Sequence, residues 1–263
     1  MGSQIFQVII SIESVFFKNT LQIFGVIAFN IMALVYSVFQ CYQIETAKKF
    51  GAREFEDKKT LIFTLVGIVS GTITLGQILL SIFGFRLFKE FGWSIYLRLG
   101  SDLTMRKYFM TYHLLQMFLK FDLFFFFGFI LQFLIFTINA DDPEFWITLI
   151  FIPVSLLVGF LSIAAVQREN THLTFASLFG LVLGVAYFIF KIFRLLTRPK
   201  YDKFRNFLSL FAFLALFVII TSTVLLFSCY RNYNKGLSPY IKISLKPHKN
   251  KAVRPQSLNL EGE

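Results

Sequence analysis

Leu119-Lys120-Phe121-Asp122-Leu123-Phe124-Phe125-Phe126-Phe127-Gly128-Phe129-Ile130-Leu131-Gln132-Phe133 is apolar almost throughout, shows no alternation of polar and apolar residues, and carries two ionisable groups near its start. It sits inside a longer apolar block, Tyr108 to Ile138. A continuous run without period-two patterning reads as a helix, because a helix satisfies its backbone polar groups within itself and so survives in hydrocarbon. The block exceeds the about 20 residues that one crossing of a bilayer requires.

Five more blocks of spanning length flank it: Thr20 to Ile44, Leu61 to Phe85, Phe145 to Val166, Thr171 to Leu196 and Asn206 to Cys229. The composition agrees, with 56% hydrophobic and only 16% charged residues, 37 Phe and a mean hydropathy of +0.66. Soluble domains carry about 25% charged residues, so a water-soluble globular protein is excluded. The sequence predicts an all-α, polytopic helical membrane protein: six full transmembrane helices and a short or partial helix at the N-terminus. The bundle is expected over residues 1–229 and a polar, basic, little-ordered tail over 230–263. The segment Gln4 to Phe17 is too short to span and contains Glu13, which leaves two readings, an interfacial helix or half of a seventh span. Between the second and third blocks, Leu87, Phe88, Phe91 and Ile95 recur at helical spacing. That predicts a separate interfacial helix at about 86–99, anchored by Trp93 and Tyr96.

The 26 Lys and Arg give a formal charge of +11. They concentrate in the connections and the tail, which points to anionic lipid headgroups and away from nucleic acid. Basic residues nearly balance across the two sides of the bundle, so the positive-inside rule decides orientation only narrowly. A cytosolic C-terminus is preferred because it places the acidic turn Asp141-Asp142-Pro143 outside. Two cysteines, Cys41 and Cys229, form no disulfide framework and no metal motif. Neither a myristoylation signal nor a cleavable signal peptide is read at the N-terminus, where Phe6 stands in place of the Ser or Thr that myristoylation favours.

The residues needing explanation lie within the apolar blocks. Lys120 and Asp122 are two apart, hence about 200° apart around a helix, and cannot pair with each other. His113, Gln116 and Lys120 share a face. An ionisable group in the hydrocarbon costs at least about 2.5–3.5 kcal/mol and requires a partner, a polar cavity or an interface. Two roles remain open: part of an ion or proton path, or structural contacts between helices, the latter including placement at the edge of a span that begins near Phe121. Lys191 and Arg194 are the expected partners of Asp122, and together with Gln132 they complete a candidate intramembrane polar network. Asn30 and Gln77 are expected to bond across helices. Gly67-Ile68-Val69-Ser70-Gly71 and Gly180-Leu181-Val182-Leu183-Gly184 both match GxxxG, which permits close backbone approach; packing within the chain is the expected use of all four glycines. Pro153 should kink the fourth span. His113 and His172 have no His or carboxylate at ligand spacing, so no metal and no cofactor is expected, and no catalytic constellation is visible.

Several stretches together resemble the uncharacterised Golgi apparatus membrane protein family of fungi. They are Asn19 to Asn30 running on to Tyr36-Ser37-Val38-Phe39-Gln40; Glu90-Phe91-Gly92-Trp93-Ser94-Ile95-Tyr96 with Gly100-Ser101-Asp102; and the run from Leu119 to Phe133. Asp142-Pro143-Glu144, Arg168-Glu169, Ala186-Tyr187-Phe188 with Lys191 and Arg194, and Asn234-Lys235-Gly236-Leu237 complete the set. The resemblance implies a seven-span Golgi membrane protein and carries over no catalytic residues. Against that pattern, the first span lacks its upstream half. The function expected is non-enzymatic, in scaffolding, sorting or reception within the secretory pathway; the alternative is a transporter or channel using Lys120 and Asp122.

Overall fold

In a computed structural model the chain is helical, and the structure describes residues 2–16, 19–48, 54–99, 103–137, 143–198, 205–233 and 235. Among the described residues seven helices follow in order: α1 (Gly2–Phe16), α2 (Thr20–Lys48), α3 (Glu54–Leu99), α4 (Leu103–Thr137), α5 (Pro143–Gln167), α6 (Thr171–Thr197) and α7 (Arg205–Tyr230). Among the described residues there is no strand. Among the described residues, five helices are long and apolar enough to cross a membrane, over Thr64–Glu90, Thr104–Leu134, Thr148–Gln167, Thr171–Thr197 and Leu208–Tyr230. A shorter apolar stretch, Thr20–Val35, opens the 29-residue α2, and α1 is a short apolar helix. The protein is a polytopic helical membrane protein.

Helix α3 departs from expectation. It runs unbroken for 46 residues, so segment 86–99 continues the second span instead of forming a separate interfacial helix. Gly84, next to Phe85-Arg86, does not break the helix; it lies within it and lets Ile23 and Ile27 of α2 approach. The side chains of Trp93 and Tyr96 lie outside the described residues, as do the acidic turn at 139–142, the connection at 199–204 and the tail from 236 onward.

Two termini show local control. Pro143 opens α5, where its missing N–H costs no intrahelical bond. Glu169 adopts a left-handed φ of 48° between α5 and α6. The Asn170 N–H reaches back to the Ala165 carbonyl at 3.0 Å, closing the end of α5. Asn170 then caps α6, its side-chain oxygen accepting from the N–H groups of His172 and Leu173 at 3.0 and 3.3 Å.

Helix α4 is the hub. It packs against α7, α5 and α2, while α6 packs on α5 and α7, giving a four-helix core of α4 to α7. The α2–α3 hairpin leans on α4 through α2, and α1 lies along α2. Rings fill the centre: Phe29 meets Phe124 edge-on at 4.9 Å, and Phe188 meets Phe126 and Phe129 edge-on at 5.8 and 5.6 Å. Such geometry suits the ring quadrupoles and adds about 0.5–1.5 kcal/mol per pair beyond burial. This explains the density of Phe in the stretch from Leu119 to Phe133.

Candidate intramembrane polar site

Helix α4 supplies most of the candidate polar residues, and the structure distributes them among different neighbours. On one face Lys120 meets Glu13 of α1, Nζ to Oε1 at 2.5 Å, with the two side chains 20% and 33% exposed. Below that pair, Phe6 stacks on Phe124 at 4.4 Å. Toward the opposite end of α1, His113 Nδ1 is bonded to Asn19 Nδ2 at 2.9 Å. The segment read as either interfacial helix or half-span is therefore docked into the bundle. Its Gln7, Ile10 and Ser14 are buried, at three- and four-residue spacing.

Gln116 turns to a second centre. Its amide donates to the Tyr112 hydroxyl at 2.8 Å, and Gln167 at the end of α5 donates to the same oxygen at 3.2 Å. Tyr112 is only 1% exposed. Nothing in its sequence environment distinguished it as the group that ties α4 to α5.

Asp122 faces away, into the four-helix core. The apolar stretch of α4 from Thr104 to Leu134 is continuous through Lys120 and Asp122. Asp122 lines a cavity of ≈ 50 Å³ together with Ser155 and Gly159 of α5, Gly180 and Gly184 of α6, and Ala215 of α7. Ser222 on α7 is its hydroxyl neighbour. Both carboxyl oxygens and the Ser222 hydroxyl are enclosed, and none closes a hydrogen bond.

Lys191 and Arg194, the partners expected for Asp122, lie elsewhere. The Lys191 ammonium stands 3.8 Å from the centre of the Phe133 ring and 5.7 Å from that of Tyr187, a cation–π arrangement near the far end of α4. Arg194 lies over Phe190 at 5.5 Å. Phe133 is eleven residues beyond Asp122, about 16 Å along a helix, which is why the pairing does not form. Gln132 Oε1 is buried without a hydrogen bond. The candidate residues thus form several separate contacts.

The glycines also divide. A Cβ on Gly180 would strike the Val158 side chain and one on Gly184 would strike Ile219, so both glycines admit a neighbouring helix. Gly67 and Gly71 have nothing within 4 Å of an added Cβ, so the expectation of packing within the chain is corrected for this pair. Helix α3 packs on α2 through another face: Gln77 accepts from Asn30 at 2.8 Å, Ser70 bonds to Ser37 at 2.9 Å, and Gly84 faces Ile23 and Ile27. At 100° per residue, Gly67 and Gly71 point about 80° and about 120° away from that seam. Among the described residues, no three His, Cys, Asp or Glu side chains converge on a point.

No family model and no solved structure matches the chain. A UPF0658 Golgi apparatus membrane protein of Schizosaccharomyces pombe (strain 972) is 23% identical over 256 residues, covering 87% of this chain and 72% of that protein. The match runs along most of the chain, which is thus similar to a Golgi apparatus membrane protein of a fungus.

Proposed function

We propose that this protein is a non-enzymatic, multi-pass component of the Golgi membrane that works by contact with other transmembrane helices, in scaffolding, sorting or reception. The observation that carries this reading is the open side of α3. Across its span Thr64–Glu90 the one buried residue is Gly84, against α2, and Gly67 and Gly71 lie bare on it. A glycine in a helix costs about 1 kcal/mol relative to alanine and offers lipid no side chain, whereas a paired glycine seat suits a second helix backbone. The C-terminus is assigned to the cytosol, where the basic tail would meet anionic headgroups.

The test is the size of the complex formed by the tagged full chain in mild detergent, after co-fractionation with Golgi membranes. Replacing Gly67 and Gly71 together by Leu should release a smaller species while the thermal stability of the chain itself is kept. An unchanged complex would overturn the reading. A second reading, passage of a small ion, is favoured by one feature, the unpaired Asp122 carboxyl beside a cavity.

A further inference from the structure

We propose that one acyl chain of a membrane phospholipid docks in the slot between α2 and α7, with α4 as its floor and the first turn of α1 at its inner end. Helices α2 and α7 both rest on α4. Between them lies a cavity of ≈ 400 Å³, within the range of about 300–1,000 Å³ typical of ligand sites. Met32 and Ala33 belong to one wall, Leu210 and Leu214 to the other, and Phe124 to the floor. Helix α1 sets the inner boundary. Its Phe6 lies against Phe29 and Phe124, and Ser3, one turn before Phe6, borders the slot. Because α1 runs antiparallel to α2, the lane that α1 lines as far as Phe29 continues along Met32 and Ala33 as the slot.

The lining selects a hydrocarbon guest. Among the described residues that form it, Ser3 alone is polar and none is charged. Water needs two or more polar partners and finds too few there, whereas apolar walls gain dispersion contacts from an apolar guest. A headgroup has nothing to bind within the slot, so it stays at the membrane surface while a tail enters. The way in is sideways from the bilayer, past Ile31 and Val35 on the α2 rim, which are 48% and 63% exposed. Leu210 lies two residues into the apolar stretch of α7, Leu208–Tyr230. The slot is therefore near the end of that stretch, and a tail reaches it from the leaflet in which α7 begins. Phospholipid is the apolar molecule that a bilayer supplies at that mouth, and its tails are flexible enough to follow the groove. On an open helix face a tail touches one helix, but here it touches α2, α4 and α7 together and should survive purification. The slot does not involve α3, so the inference stands apart from the helix-contact reading.

The full chain, purified in mild detergent, is examined by native mass spectrometry, then stripped of lipid and heated with and without added palmitoyl-oleoyl phosphatidylcholine. The unmodified chain should retain one phospholipid, and the added lipid at tenfold excess over Kd should raise Tm saturably by about 3–5 °C. Ala33→Phe and Leu214→Phe fill the slot from opposite walls. Each should lose the retained lipid and most of the rise, while Val182→Phe, on the exposed face of α6, keeps both. Either filling variant suffices where the other fails to fold, and the response of the unmodified chain decides where neither folds. Two results would overturn the proposal. One is an unmodified chain that retains no phospholipid and gains no stability from it, including the case in which only a sterol stabilises. The other is a filling variant that retains lipid and responds to it as Val182→Phe does.

Discussion

Glu13 and Lys120 make the sharpest test of how α1 is held. Replacing Glu13 with Gln leaves the Lys120 ammonium in the span without its carboxylate, and replacing Lys120 with Met leaves Glu13 uncompensated. A lone charge at the centre of a spanning helix costs about 2.5–3.5 kcal/mol on insertion scales. Removing one partner of a fully buried pair costs about 3–5 kcal/mol. The side chains here are 20% and 33% exposed, and lysine can snorkel, so the lower figure applies, about 2–3 kcal/mol for each single change. At about 2–4 °C per kcal/mol for a chain of this size, each variant should melt about 5–10 °C lower. The Glu13→Gln, Lys120→Met double variant removes both charges and should recover most of that loss, giving a coupling of about 2 kcal/mol. The assay is thermal unfolding in detergent, with limited proteolysis following release of α1. Single effects that simply add, within about 0.5 kcal/mol, would refute the pairing.

The two glycine motifs should respond oppositely in the isolated chain. Gly180→Ala drives a methyl into Val158 and should cost about 1–3 kcal/mol, whereas Gly67→Ala meets open space and should stabilise by up to about 1 kcal/mol through helix propensity; thermal melts of the two variants check this. Tyr112→Phe removes the oxygen that accepts from Gln116 and Gln167 and should cost about 1–3 kcal/mol, measured the same way, with Tyr108→Phe as the control. Asn170→Ala deprives the start of α6 of its cap and should cost about 1 kcal/mol, seen as faster hydrogen exchange at His172 and Leu173.

The helices were legible because long apolar blocks in lipid admit few other structures. The amides Asn30 and Gln77 were legible as contacts between helices, since neither has a stable alternative in hydrocarbon, and the structure joins them to each other. The partner of Lys120 was not legible. Glu13 lies 107 residues away, in a segment whose relation to the bundle was open, although one acid in a short apolar helix and one base in a span are a pair worth testing. GxxxG could not separate Gly67-Gly71 from Gly180-Gly184, because the motif states that a backbone can approach and not which helix does. That depends on position: α6 is inside the four-helix core and α3 is at the edge. Lys191 and Arg194 were expected to answer Asp122 on charge alone, but rise along the helices separates them, and distance decides.

The measurement that bears most directly on the proposed role is cross-linking in native membranes from a single cysteine placed on the open face of α3. The Gly71→Cys chain, in a background where Cys41 and Cys229 are replaced by Ser, is treated with a short thiol-directed cross-linker and compared with Phe217→Cys, an exposed position on α7. The account predicts a discrete cross-linked species of higher mass from position 71, lost when Gly67→Leu is added, and none from position 217. Equal cross-linking from both positions, or none from position 71, would contradict it.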